Sequence, residues 1–235
     1  MKTVLAFGDS LTWGADPATG LRHPPEGRWP EVLDRELGDA AAIISEGLGG
    51  RTTCYDDHAG PACRNGAKAL EVALASHMPL DLVIIMLGTN DIKPVHGGRA
   101  EGAVSGMRRL AQIVDTFPYK PSGAKPKLLI VAPPPCSPGP DGHPAAGRSV
   151  AESERLAPLY HKLACELGHA FFDAGAVARG SQVDGVHLEA AATAAIARRE
   201  PDDGRKGEPQ EGSRVREVTK RGRPHQSAVI PRSDV

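Results

Sequence analysis

Four short blocks of this sequence carry residue types suited to acyl transfer. Ser10, in Gly8-Asp9-Ser10-Leu11, follows an apolar run and offers a hydroxyl nucleophile. Asp184 and His187, in Asp184-Gly185-Val186-His187, lie three residues apart, close enough for the carboxylate to accept the imidazole Nδ1–H within one turn. Such a bond sets the tautomer and leaves Nε2 free to take the proton of Ser10. Asn90, in Gly88-Thr89-Asn90-Asp91, offers a side-chain N–H, and Gly50, in Gly49-Gly50-Arg51-Thr52, a backbone N–H that no Cβ shields. With the Ser10 amide, these donors could surround a developing oxyanion.

Each block alone has a plainer reading. Gly-Asp-Ser after a strand is commonly a turn with a helix cap, Asn90-Asp91 can cap the next helix, and Asp-x-x-His is often a solvated pair. Four blocks in this order, each at a strand edge, point to chemistry. Ser10 lacks the Gly-x-Ser-x-Gly elbow, which weighs against an α/β-hydrolase. Two other readings stay open at this level. Asp9, Asn90, Asp91 and His187 could bind divalent cations in a metal-dependent phosphoesterase. Such a site usually needs more His and Asp, and His58, His77 and His96 lie in no ligand pattern. The same residues could also belong to an inert binding protein.

The elements that must position these blocks alternate between strand and helix. Lys2–Phe7 reads as a short buried strand, Ala41–Ser45 as a second, and Leu82–Leu87 as a continuous apolar strand covered on both faces. Leu128–Val131 and Ala170–Asp173 follow as two more. Between them, helical spacing marks Pro30–Leu37, a helix capped by Asn65, a stripe through Val104, Met107, Leu110 and Val114, and Leu156 to Leu167 after a capping box at Ser149. Pro158 predicts a kink or a first turn there, and Glu189–Arg199 reads as a last helix. This alternation implies a parallel sheet with helices on both faces, whose ligands bind at the carboxyl ends of the strands.

Composition sets the boundaries. The 235 residues carry Lys+Arg 28 against Asp+Glu 29, a formal net charge of -1, which argues against a general nucleic-acid binder or a polybasic membrane reader. The balance hides two unlike parts. Residues 1–197 hold 18 basic and 22 acidic residues, while residues 198–235 hold 10 and 7, with four Gly, four Pro and no aromatic. We expect a catalytic domain over 1–197 and an atypical, flexible charged tail over 198–235. The apolar run at the N-terminus is too short for a secretory signal or a membrane span. Cys54, Cys63, Cys136 and Cys165 form no CxxC pair and no metal spacing. A cytoplasmic protein with reduced thiols is expected, with a local Cys54–Cys63 bridge as the lesser option.

Taken together, Gly8-Asp9-Ser10-Leu11, Gly50, Gly88-Thr89-Asn90-Asp91 and Asp184-Gly185-Val186-His187 resemble, in order, the blocks of the SGNH (GDSL) hydrolase family. Longer runs narrow the likeness: Phe7–Gly14, Glu46–Thr53, Asp81–Asp91, Ala132–Pro135 and Phe171–Gly175 resemble the bacterial arylesterase branch, which includes acyltransferases and perhydrolases. The likeness spans about residues 1–197. It implies a three-layer α/β/α sandwich with a central parallel sheet of flavodoxin-like type, and Ser10 as nucleophile, His187 as base and Asp184 as its orienter. It further implies an oxyanion hole of the Ser10 and Gly50 amides and the Asn90 side chain. Short-chain aryl and alkyl esters are the implied substrates, with no cofactor and no metal, and with acyl transfer to alcohols or peroxide in some relatives. A symmetric homo-oligomer is implied as well, with an octamer among the implied forms. Leu11, Trp13, Lys93 and Val186, beside the motifs, are candidate pocket walls. The C-terminus departs from the branch: a helix begins at Ala190, but Arg198-Arg199-Glu200-Pro201 breaks it.

Overall fold

The computed structural model describes residues 1–121 and 123–198. The expected flexible tail lies outside the described residues apart from Arg198. Five strands form one parallel sheet in the order β2-β1-β3-β4-β5: β1 (Lys2–Gly8), β2 (Ala41–Gly47), β3 (Leu82–Met86), β4 (Lys127–Ala132) and β5 (Ala170–Asp173). Among the described residues, seven α-helices connect and flank them: α1 (Ser10–Trp13), α2 (Trp29–Leu37), α3 (Gly66–His77), α4 (Ala100–Thr116), α5 (Val150–Glu154), α6 (Leu156–Leu167) and α7 (Ala190–Ala197).

Strands with apolar residues at every position need cover on both faces, and they receive it. Leu5 and Phe7 of β1, Val83 and Ile85 of β3, and Leu128 and Ile130 of β4 face one core, closed by Leu70 and Leu74 of α3, Met107 and Leu110 of α4, and Tyr160 and Leu163 of α6. The alternate residues, Val4, Ala6, Ile84, Met86 and Val131, face a second core with Leu11, Trp29, Leu188 and Ile196. The expected three-layer arrangement is therefore present. Helix boundaries follow local chemistry. Asn65 caps α3 by accepting from the Ala67 and Lys68 amides, and the Ser149 hydroxyl accepts from Glu152 N to start α5. Pro158 sits in the first turn of α6, where its missing N–H costs least.

Register places the chemistry. Gly8 pairs with Gly47 and with Met86, so β1, β2 and β3 end level and their following loops start from one edge. No helix among the described residues is long and apolar enough to cross a membrane. All four cysteines are free, so the lesser option of a Cys54–Cys63 bridge is not realised.

Candidate active site

Ser10 is the first residue of α1. The preceding Asp9 caps that turn: its Oδ1 accepts from Leu11 N at 2.9 Å, and its carbonyl accepts from Trp13 N at 2.9 Å. A four-residue helix directly after β1 thus holds the Ser10 side chain at the strand edge, half-buried.

Asp184 and His187 come from the segment before α7. Asp184 Oδ1 accepts from the Val186 and His187 amides at 2.8 and 2.9 Å, which closes a tight turn around Gly185. Gly185 has φ +75, and a Cβ there would lie 2.3 Å from Ser137 O, so only glycine fits this turn. The other oxygen, Oδ2, meets His187 Nδ1 at 2.5 Å, and His187 Nε2 meets Ser10 Oγ at 3.0 Å. With a carboxylate as acceptor, Nδ1 of the neutral ring carries the hydrogen and Nε2 turns a lone pair to the hydroxyl. Burial pushes the Asp184 carboxyl up. The bonds from the His187 ring and the two amides outweigh it and hold the group below the usual carboxylate value. It therefore stays ionised opposite the imidazole.

The turn after β3 and the loop after β2 are bound together. Asn90 Nδ2 donates to Asp9 Oδ2 at 3.1 Å and to Arg51 O at 3.0 Å, while Asn90 Oδ1 accepts from Arg148 Nη2 at 2.9 Å. Asp91 Oδ1 and Oδ2 accept from Thr53 N at 3.0 and 3.1 Å, and Oδ1 also accepts from Thr53 Oγ1. Arg51 Nη1 donates to Gly8 O at 2.8 Å and to Glu46 O, with its guanidinium 4.1 Å from the centre of the Phe7 ring. The ends of β1, β2 and β3 are thus laced into one rigid rim. Among the described residues, the Ser10 and Gly50 amides have no protein acceptor. Both are open donors on this rim.

Burial shapes the charges. Desolvation raises the Asp9 carboxyl above its usual value against the pull of the Leu11 amide, and raises Asp91 to about 6 despite its bonds to Thr53. Desolvation likewise lowers Arg148 and brings Arg51 down to about 10.

The carboxylates needed for a cation site are already committed. Asp9 caps α1 and holds Asn90, Asp91 is spent on Thr53, and His187 faces Ser10. Among the described residues, no group of three or more His, Cys, Asp or Glu is arranged to hold a metal ion. This donor geometry does not fit the phosphoesterase reading.

Two of the pocket candidates are largely buried. Leu11, 2% exposed, packs in the second core with Val4, Ala6 and Trp29, and Val186 closes a small cluster with Ile92 and Cys136. Trp13 and Lys93 keep exposed surface. The Arg22 guanidinium lies 5.5 Å from the centre of the Trp13 ring, and Lys93 Nζ reaches Asp57 Oδ2 at 3.5 Å. Desolvation, then the charge of Arg148, holds Lys93 below its usual value. An apolar cavity of about 290 Å³ lies elsewhere, between Trp29, Leu33, Ile84, Val131 and Ile196 on the second sheet face, with none of the site residues in its walls.

Sequence reasoning missed Arg51, Thr53 and Arg148, which hold the rim. Only their polarity beside the glycine blocks, or within a Pro- and Gly-rich loop, could have marked them.

Comparison with known proteins places the chain in a family. Residues 6–195 match the GDSL-like Lipase/Acylhydrolase family. A solved structure from Agrobacterium tumefaciens str. C58, assigned as an arylesterase, is 79% identical with a TM-score of 0.83, covering 84% of this chain and 95% of that one. A carbohydrate acetylesterase family member from Sinorhizobium meliloti is 48% identical with a TM-score of 0.80, covering 84% and 94%. The native M. smegmatis aryl esterase is 40% identical with a TM-score of 0.76, covering 84% and 95%. No curated protein matches. With the match over residues 6–195 and three aligned strand ends carrying Ser10, Gly50 and Asn90, the chain belongs to the GDSL-like lipase/acylhydrolase family, the SGNH hydrolases.

Proposed function

We propose that this protein is a serine esterase that hydrolyses short-chain carboxylic esters through an acyl-enzyme on Ser10. The observation that carries the reading is the continuous chain Asp184–His187–Ser10, with contacts of 2.5 and 3.0 Å. In this reading, Ser10 Oγ attacks the ester carbonyl while His187 Nε2 takes its proton. Asp184 stabilises the imidazolium that forms, without itself taking the proton. The Ser10 and Gly50 amides and Asn90 Nδ2 stabilise the oxyanion. The imidazolium then protonates the departing alkoxide or phenoxide. Water, activated by the same imidazole, attacks the acyl-enzyme and releases the acid.

The arylesterase and carbohydrate acetylesterase identities of similar structures support aryl and small acyl esters as the substrate class. An alcohol or a peroxide occupying the place of the second water would give acyl transfer by the same steps. The family resemblance also supports a symmetric homo-oligomer, and the cysteine pattern supports a cytoplasmic protein with reduced thiols. Neither nucleic acid nor membrane enters this function, and the chemistry draws on no cofactor. The test is hydrolysis of an aryl acetate by the parent and by Ser10→Ala, with and without a chelator. The reading expects parental hydrolysis that chelator leaves unchanged and that Ser10→Ala abolishes. Chelator-sensitive hydrolysis that survives Ser10→Ala would favour a metal reaction, and a folded but inactive parent would favour an inert binding protein.

A further inference from the structure

Arg148 ends the Pro- and Gly-rich loop that follows β4, and its side chain is buried, with the residue 8% exposed. A guanidinium is costly to bury unless its donors are met. Here each of its three nitrogens meets an oxygen. Nε donates to Thr89 O at 2.8 Å, Nη1 to Ala145 O at 2.6 Å and Nη2 to Asn90 Oδ1 at 2.9 Å. All three acceptors are neutral, so no direct carboxylate partner consumes the charge. The esterase scheme above assigns this residue no part.

Its bond to Asn90 has a directional consequence. An amide has one acceptor oxygen and one NH2 group, so a donor fixed on Oδ1 dictates where Nδ2 points. Here Nδ2 points at Asp9 Oδ2 and Arg51 O, the rim on which Ser10 and Gly50 stand. Both Nδ2 hydrogens have partners at rest, so the oxyanion must draw one of them toward itself. A cation bonded to Oδ1 favours that exchange, because it polarises the amide and strengthens its N–H groups as donors. The same end of the loop reaches the acid of the triad: Ala145, three residues before Arg148 and holding its Nη1, donates its own N–H to Asp184 O at 2.7 Å.

We propose that Arg148 is a positioning residue for oxyanion stabilisation, orienting and polarising the Asn90 amide and tying it to the backbone that carries Asp184. The inference rests on the reading of Asn90 as an oxyanion donor. It deepens that reading by naming what makes the donor effective.

A double-mutant cycle tests it, with kcat and KM for phenyl acetate measured on the parent, Asn90→Ala, Arg148→Met and the double variant. Loss of Asn90 is expected to lower kcat about 10²–10³-fold. Arg148→Met is expected to lower kcat about 10- to 100-fold with KM changed by less than about threefold, since the interaction serves the transition state. The double variant should lie within about twofold of Asn90→Ala, because Arg148 acts through that side chain. An alkyl boronic acid, which forms a tetrahedral adduct on Ser10, should lose affinity for Arg148→Met in proportion to kcat. A merely structural role would not produce that parallel.

Should the Met variant fail to fold, Arg148→Lys, which keeps the charge on a single donor nitrogen, replaces it in the same cycle with an intermediate loss expected. Losses that simply multiply in the double variant, or a kcat for the Arg148 variant within twofold of the parent, would overturn the inference while leaving Asn90 in its role. A parental rate in Asn90→Ala alone would instead bring down the oxyanion reading on which it stands.

Discussion

Replacing Asp184 with asparagine preserves shape and removes only charge and one acceptor, and the structure dictates the outcome. Oδ1 accepts two backbone amides, from Val186 and His187, at 2.8 and 2.9 Å. In Asp184→Asn, the amide oxygen must stay there, since an NH2 in that place would face two N–H donors. The NH2 group then occupies the Oδ2 position, 2.5 Å from His187 Nδ1 in the parent. Facing a donor, Nδ1 can only accept, so the ring hydrogen moves to Nε2. Nε2 now presents a hydrogen to Ser10 Oγ instead of a lone pair and cannot act as base. A wrong tautomer of this kind, with geometry kept, costs about 10⁴ in kcat in the serine protease template, equivalent to roughly 5.5 kcal/mol of transition-state stabilisation. The same loss is expected here. The assay is kcat for phenyl acetate, with circular dichroism and denaturant unfolding to show that the variant folds. A folded variant within tenfold of the parent would refute the assignment of Asp184 as orienter.

Three further predictions follow from the same rim. Asp91, held at about 6 in the fold against 3.8 in the open chain, makes the parent bind protons more strongly when folded, so its ionisation costs roughly 3 kcal/mol of stability as pH rises from about 4 to 7. The stability of Asp91→Asn relative to the parent should therefore rise by that amount over the same range in urea titrations, and a flat or falling difference would contradict it. Gly47→Ala places a Cβ 2.3 Å from Trp13 N and 2.8 Å from Thr12 C, backbone atoms of the turn that carries Ser10, so kcat should fall about 10²-fold from nucleophile displacement. A kcat within threefold of the parent would show that this turn tolerates the shift. Finally, His187→Ala should abolish measurable hydrolysis of phenyl acetate in a folded variant, because it removes the group whose Nε2 faces Ser10 Oγ at 3.0 Å, and a folded variant within tenfold of the parent would speak against His187.

Much of the fold was legible because its signals are local. The apolar runs of β1 and β3 announce strands covered on both faces, and Asn65 and Ser149 mark the helix starts that the structure contains. The four blocks were legible as a set because a parallel sheet brings its strand ends to one edge. What was not legible depends on contacts between distant segments. Arg148 reaches Asn90 across 58 residues, and Asp91 is buried by a bond to Thr53 across 38. An isolated arginine or aspartate has no periodicity that marks it as buried. The packing of Leu11 and Val186 was hidden for a related reason: proximity to a motif in sequence does not show which side chain joins a buried cluster. The resemblance to a known family supplied what neither pattern nor spacing could, the expected class of ester substrate.

The central claim is that an acyl group passes through Ser10 Oγ. Rapid acid quench of the enzyme during turnover of an activated aryl acetate, followed by peptide mass spectrometry, tests it directly. The account predicts one acetyl group on the peptide containing Ser10, none in Ser10→Ala, and more of it in Asn90-intact than in Asn90→Ala enzyme at early times. Hydrolysis that proceeds at parental rate in Ser10→Ala, or an acetyl group found reproducibly on a different residue during turnover, would contradict it.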